Sequence, residues 1–219
     1  MIRSICFTLL IICHFKAKAD YEPLALHELI INAEKIVYGE IIDLDTTHFE
    51  IKIEGSITGE SGILKVRKFE NWTCAWRWVE YKEGQNLLLF LNTWNNELTS
   101  MGAGNEGELP ISNKDVYING LSLMYVNGDQ NDWSNTDFTF KGNNYDVHDG
   151  EFYGTKMDLS KFIETTKYIR QCFKIEYGSY HQITKWEFNC ELKEIKNKAN
   201  NSILLKAILR KATERKKER

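Results

Sequence analysis

Asp146 and His148 stand two residues apart, and Glu151 follows closely. At one strand end, a carboxylate beside an imidazole could exchange protons with a substrate or supply two ligands to a metal. A further carboxylate would have to come from elsewhere, and Glu106 or Glu108 in a glycine-rich loop is the available source. That set defines a hydrolytic or metal-dependent reading. The expected reading is plainer: an exposed strand and turn. Of the histidines beyond the first nineteen residues (His27, His48, His148 and His181), no two stand at the helical spacing of a zinc pair. No Gly-x-Ser-x-Gly elbow occurs. Cys74 has aromatic rather than basic neighbours, so nothing beside it in sequence activates a thiolate. We assign no catalytic residue, no metal and no cofactor from the sequence.

Two further patterns imitate ligand sites. Gly102 to Gly107 fits Gly-x-Gly-x-x-Gly, but a dinucleotide loop must open a helix whose N–H groups face the phosphates. Here Glu108 and Pro110 follow, and Glu106 and Glu108 would repel phosphate. A turn-rich loop is expected. Asn127 to Asp132 is rich in oxygen ligands. A calcium loop counted from Asn127 would need glycine at Asp132 and glutamate at Phe138. A solvated turn, with Asn and Asp bonding their own backbone, is expected instead.

The aromatic cluster is the remaining candidate. Trp72, Cys74, Trp76 and Trp78 share a parity, so an extended segment would place them on one face and Arg77 on the other. Aromatics with arginine are common in binding hot spots and can stack on sugar or peptide. The competing expectation is core packing, because six tryptophans carry large apolar area to bury. Trp72, Trp76 and Trp78, together with Asn105 and Glu106 of the loop, are the candidate binding residues.

The elements that must position these residues are mostly strands. Leu26, Leu29, Ile30 and Ala33 repeat at helical spacing behind Pro23. Ile36 to Ile42 is a β-branched run whose Gly39 marks a bulge. Phe49, Ile51 and Ile53 alternate with charged residues, and Ile63 to Phe69 alternates less cleanly. Leu87 to Leu91 reads as a strand buried on both faces. Val116–Ile118 and Leu121–Val126 are short strand candidates, and Phe138–Lys141 with Tyr145–Val147 reads as a hairpin. Helices are expected from Asp158, over about 185–196, and from Ser202 to about Lys216. The last of these gathers Leu204, Leu205, Ile208, Leu209 and Ala212 on one face.

The first nineteen residues read as a cleavable secretory signal: Arg3, an apolar run of about twelve residues, then Ala17-Lys18-Ala19. A periplasmic or extracellular location is the expectation. The formal charge of the chain is −3, and the first nineteen residues carry three basic side chains and no acid, so the remainder stands at −6. The last seventeen residues are basic, which leaves residues 20–202 strongly acidic. Such a body is a poor nucleic-acid binder. The basic tail is expected to dock its apolar face on that body, and lying on anionic lipid is the alternative. Export permits disulfides. Of Cys74, Cys172 and Cys190, the pair Cys172–Cys190 is preferred, with Cys74 to either as the rival.

The order helix, "NAEKIVYGEI", alternating strand, "GILKVRKF", cysteine, "YKEGQNLLLFLN" resembles the netrin-like domain of tissue inhibitors of metalloproteinases over about Leu24 to Asn92. That resemblance implies an OB-fold barrel. It does not carry over zinc chelation by an N-terminal cysteine, because the expected mature chain starts at Asp20. The whole chain also resembles secreted proteins of Bacteroidetes-type bacteria, through Gly104–Ile111 and the helix around Phe162, and that likeness implies no function. The expected architecture is α+β, mainly β: residues 1–19 a signal, 20–150 an OB-like β domain, and 151–219 a helical part packed on the barrel. The expected function is non-enzymatic binding or accessory work, with another envelope or extracellular protein as partner.

Overall fold

The structure is a computed structural model, and it describes residues 21, 23–73, 75–103, 106–124, 138–139, 147–149, 152–179 and 183–214. The expected signal lies outside them.

Helix α1 (Leu26–Asn32) starts where the Glu28 carboxylate accepts from the Ala25 N–H, and it buries Leu26, His27, Leu29 and Ile30. Strands β1 (Lys35–Leu44), β2 (His48–Ser56), β3 (Ile63–Arg67), β4 (Asn86–Trp94) and β5 (Glu97–Ser100) follow. They close a five-stranded barrel in the order β1-β2-β3-β5-β4, with β4 returning to pair with β1. All contacts are antiparallel except β3 with β5, which meet in parallel at Arg67 and Thr99 alone. The fold is thus an OB-like barrel with an N-terminal helix and C-terminal helices.

The barrel closes because β1 can bend. Its register with β2 shifts between Tyr38 and Gly39, the bulge that glycine makes room for. A Cβ at Gly39 would stand 2.0 Å from the Lys52 carbonyl oxygen, a backbone atom with little freedom to retreat. Gly39→Ala is expected to cost about 1–3 kcal/mol, the usual range for overpacking. Urea unfolding checks this, and an unchanged midpoint would refute the close approach.

Strand β4 is buried on both faces for a visible reason. Leu87, Leu89 and Leu91 point into the barrel with Val37, Ile41, Phe49, Ile51 and Val66. Leu88 and Phe90 point the other way, into a second core. That core is covered by α1 and by what comes later. Strands β6 (Glu108–Ser112) and β7 (Asp115–Ile118) extend the sheet from β4. Helix α2 (Gly120–Met124) occupies part of the stretch read as a strand over Leu121–Val126. Strands β8 (Phe138–Thr139) and β9 (Val147–Asp149) each pair with β10 (Phe152–Asp158), which in turn pairs with β7. The turn of the expected hairpin lies outside the described residues.

Helix α3 (Leu159–Cys172) is capped by the Asp158 carboxylate, which accepts from the Lys161 N–H. Hairpin β11 (Phe173–Tyr177) and β12 (Ile183–Phe188) comes next, then α4 (Leu192–Ala199) and α5 (Ile203–Glu214). The helix expected over about 185–196 is therefore a strand followed by a helix. Its apolar spacing suits either state over so short a run. Pairing Phe173 with Phe188 and Ile175 with Trp186 decides for the strand. Cys172 and Cys190 form a disulfide across the base of this hairpin. Leu204, Leu205, Ile208, Leu209 and Ala212 of α5 are buried in the second core, so the apolar face of the basic helix is spent on packing.

Candidate functional site

Residues 68–85 join β3 to β4 without a helix or a named strand. Trp72 and Ala75 exchange two backbone hydrogen bonds, N–H to oxygen at 3.0 and 3.1 Å, and so close a tight turn. The Asn71 side chain accepts from the Arg77 N–H at 2.8 Å. After that turn the chain dives, and Trp78 and Tyr81 pack against the barrel core.

Arg77 goes in with them. Its Nε donates to Glu108 at 2.7 Å, Nη2 donates to Gln85 Oε1 at 3.0 Å, and Nη1 donates to the Val79 carbonyl. The guanidinium carbon lies 4.1 Å from the Trp78 ring centroid and 3.8 Å from that of Tyr81. Glu108 is fully buried, and its other oxygen accepts from Tyr81 Oη at 2.6 Å and Ser100 Oγ at 2.9 Å. Burial and the Glu108 carboxylate push the Tyr81 phenol well above its ordinary range. Two charges taken out of water are tolerable when paired and hydrogen-bonded, and here each nitrogen of the guanidinium and each oxygen of the carboxylate has a partner. Glu108 has its charge balanced and accepts three hydrogen bonds from within the protein, and it is shut off from solvent, so it braces the loop rather than facing a substrate.

Glu106 braces a different segment. Strands β5 and β6 share one edge of β4. Met101 N–H donates to the Phe90 carbonyl, and Phe90 N–H donates to the Gly107 carbonyl, so the chain leaves the β4 edge after Met101 and rejoins it at Gly107. Just before Gly107, the buried Glu106 accepts from Tyr21 Oη at 2.7 Å and from the Leu24 N–H at 3.0 Å. Tyr21 then meets Trp72 edge-on, ring centroids 5.7 Å apart. The N-terminal segment, the glycine-rich loop and the tryptophan turn therefore converge at Trp72.

Burial raises the Glu106 carboxyl, against the lowering effect of the Tyr21 and Leu24 bonds. A carboxyl raised by folding contributes stability below its unfolded value and loses it as pH rises through the raised one. The stability of the protein minus that of Glu106→Gln is thus expected to fall as pH climbs upward from the ordinary carboxylate range. Urea unfolding of both forms across that range checks it, and a difference that grows with pH would reverse the assignment.

The exposed side of the convergence is aromatic. Trp72 is 44% exposed and Trp76 67% exposed, so core packing holds for Trp78 among the three but not for these two. Parity fails because the turn at 72–75 breaks the extended run, and it also places Arg77 inside. Beside the turn lies a shallow pocket of about 250 Å³, lined by Arg67, Lys68, Phe69, Glu70, Thr99 and Ser100. It sits where β3 and β5, after their single contact, part.

The other sequence candidates do not join this site. Asn105, Cys74, Asp146 and Glu151 lie outside the described residues. His148 is in β9, opposite Tyr153. Glu106 and Glu108 are both committed to internal partners. His27 is buried beside Trp186, and His48 meets Glu97 at 3.1 Å on the barrel exterior. Among the described residues, no three His, Cys, Asp or Glu side chains are grouped to hold a metal ion. The sequence offered no pointer to Tyr21, Tyr81 or Ser100, and the partnership of Arg77 with Glu108 spans 31 positions. No family model, no curated protein and no solved structure matches this chain.

Proposed function

We propose that this is an exported, non-enzymatic binding or accessory protein that presents the Trp72–Trp76 turn of an OB-like barrel to its ligand. One observation carries the reading: two indoles stand in solvent on a turn that is anchored from beneath by a buried ion pair. An exposed aromatic held in place loses little entropy on binding, which is what hot-spot residues require. The Cys172–Cys190 disulfide, with the signal-like N-terminus, supports an oxidising compartment. The likeness to netrin-like domains belongs to the same proposal. The strand order and the parallel β3–β5 contact support a shared barrel, and small barrels of this kind serve as binding platforms.

The test places a photo-crosslinking residue at position 76 in one form and at position 94 in another, inside producing cells. Trp94 is equally exposed but sits on the β4–β5 hairpin. A discrete adduct from position 76 and none from position 94 is expected. Identical patterns would remove the turn as the binding surface. Trp76→Ala itself is expected to change stability by no more than about 0.5 kcal/mol, as for other exposed positions.

A further inference from the structure

We infer that the ligand of this surface is an uncharged, hydroxyl-rich chain: a neutral polysaccharide laid across Trp72 and Trp76, with a hydroxyl-bearing ring in the adjoining pocket. The inference rests on the binding reading above and adds the ligand class.

Charge balance is the first argument. The pocket holds two cations, and both are already engaged. Arg67 pairs with Glu97 at 3.2 Å and with Glu70 at 3.4 Å. Lys68 donates to the Asp45 carbonyl, and its ammonium stands 5.6 Å from the centre of the Tyr81 ring. Arg77, in the same β3–β4 connection, is buried against Glu108. A phosphate or sulfate would thus find its cations compensated, in a body that is itself strongly acidic. A neutral ligand meets no such barrier.

Shape and chemistry supply the second argument. Phe69 is the sole apolar side chain of the pocket lining, beside the charged ends of Arg67 and Glu70 and the hydroxyls of Thr99 and Ser100, which donate inward to the Asn92 carbonyl and to Glu108 and keep lone pairs to accept from a ligand hydroxyl. A helix or a strand of apolar peptide would need a groove of aliphatic side chains, and that lining is not one. Sugar rings have apolar C–H faces and polar rims. Flat indoles beside mixed donors and acceptors match both features. Trp72 opens the Trp72–Ala75 turn, Trp76 directly follows it, and Trp72 stands two residues beyond Glu70 of the pocket. On this inference, successive rings of one chain lie over the pocket and the indoles.

The experiment titrates the full exported protein with cellohexaose, chitohexaose, xylohexaose and maltohexaose, followed by indole fluorescence, with a heparin hexasaccharide and inorganic phosphate as anionic probes. At least one neutral chain is expected to bind saturably, and raising salt from about 50 to about 500 mM should leave its affinity unchanged, since no ion pair is screened. Trp72→Ala and Trp76→Ala should each weaken it about tenfold or more, and Trp94→Ala should not. Three results would overturn the inference: no neutral chain binds, only the anionic probes bind, or a neutral chain binds equally well when Trp72 and Trp76 are both alanine. If the sugars fail while position 76 still crosslinks a protein, the ligand class falls and the binding surface stands. If both fail, the surface falls too.

Discussion

Glu108→Ala is expected to cost about 3–5 kcal/mol, because it leaves a buried guanidinium without its counter-charge. Arg77 is 7% exposed and Glu108 fully buried, so neither can turn to water. The loss also orphans the hydroxyls of Tyr81 and Ser100, which now donate to Glu108. Arg77→Met should cost a similar amount by stranding the carboxylate. The double variant Arg77→Met/Glu108→Ala should cost clearly less than the two single losses combined, since no unpaired charge then remains. Urea unfolding of the single and double variants measures the coupling. Additive losses would mean that the pair contributes packing alone. The Trp72–Trp76 turn is tied to the same pair through the Arg77 backbone, so indole emission should shift to longer wavelength in Glu108→Ala.

Losing the Cys172–Cys190 bond is expected to cost about 3 kcal/mol, on the loop-entropy account for a closed loop of this order of length. The two cysteines are separated by 18 positions and bracket the β11–β12 hairpin. Phe173, Ile175 and Trp186 of that hairpin are buried in the second core, so a looser hairpin uncovers the helices as well. For a chain of this size the loss corresponds to a melting temperature lower by about 6–12 °C. A Cys172→Ala/Cys190→Ala variant, melted beside the parent with and without reductant, gives the answer. The parent should fall to the variant's value in reductant, and the variant should not respond. A parent indifferent to reductant, with a variant melting at the same temperature, would show that the hairpin is held by packing.

The sequence by itself determined the elements whose residues are decided by near neighbours. Phe49 and Ile51 alternate with charge, and they are β2. Leu87 to Leu91 is apolar without a break, and β4 has cores on both faces. Asp158-Leu159-Ser160 marks a helix start, and the structure has the Asp158 carboxylate capping it by accepting from the Lys161 N–H. Such signals are local because a backbone's choice between helix and strand follows from spacing over a few residues. The short run at 185–188 carries too few residues to choose, and its partner strand chose for it. Gly39 is a halfway case: its type announced a bulge, while the Lys52 carbonyl that requires it is thirteen positions away.

The tertiary structure alone decided the site. Barrel closure rests on one parallel contact, Arg67 with Thr99, between strands 32 positions apart. Nothing near Arg77 in sequence says that it will be buried, because burial of a charge is settled by whether a partner arrives, and Glu108 arrives from strand β6. The same holds for Glu106, which looked like a loop carboxylate and instead fastens Tyr21 and Leu24. Hydrophobicity predicted that the tryptophans would be buried together. Once Trp78 and Tyr81 fill the barrel beneath the loop and the Trp72–Ala75 turn breaks the strand-like parity, Trp72 and Trp76 have no core left to enter.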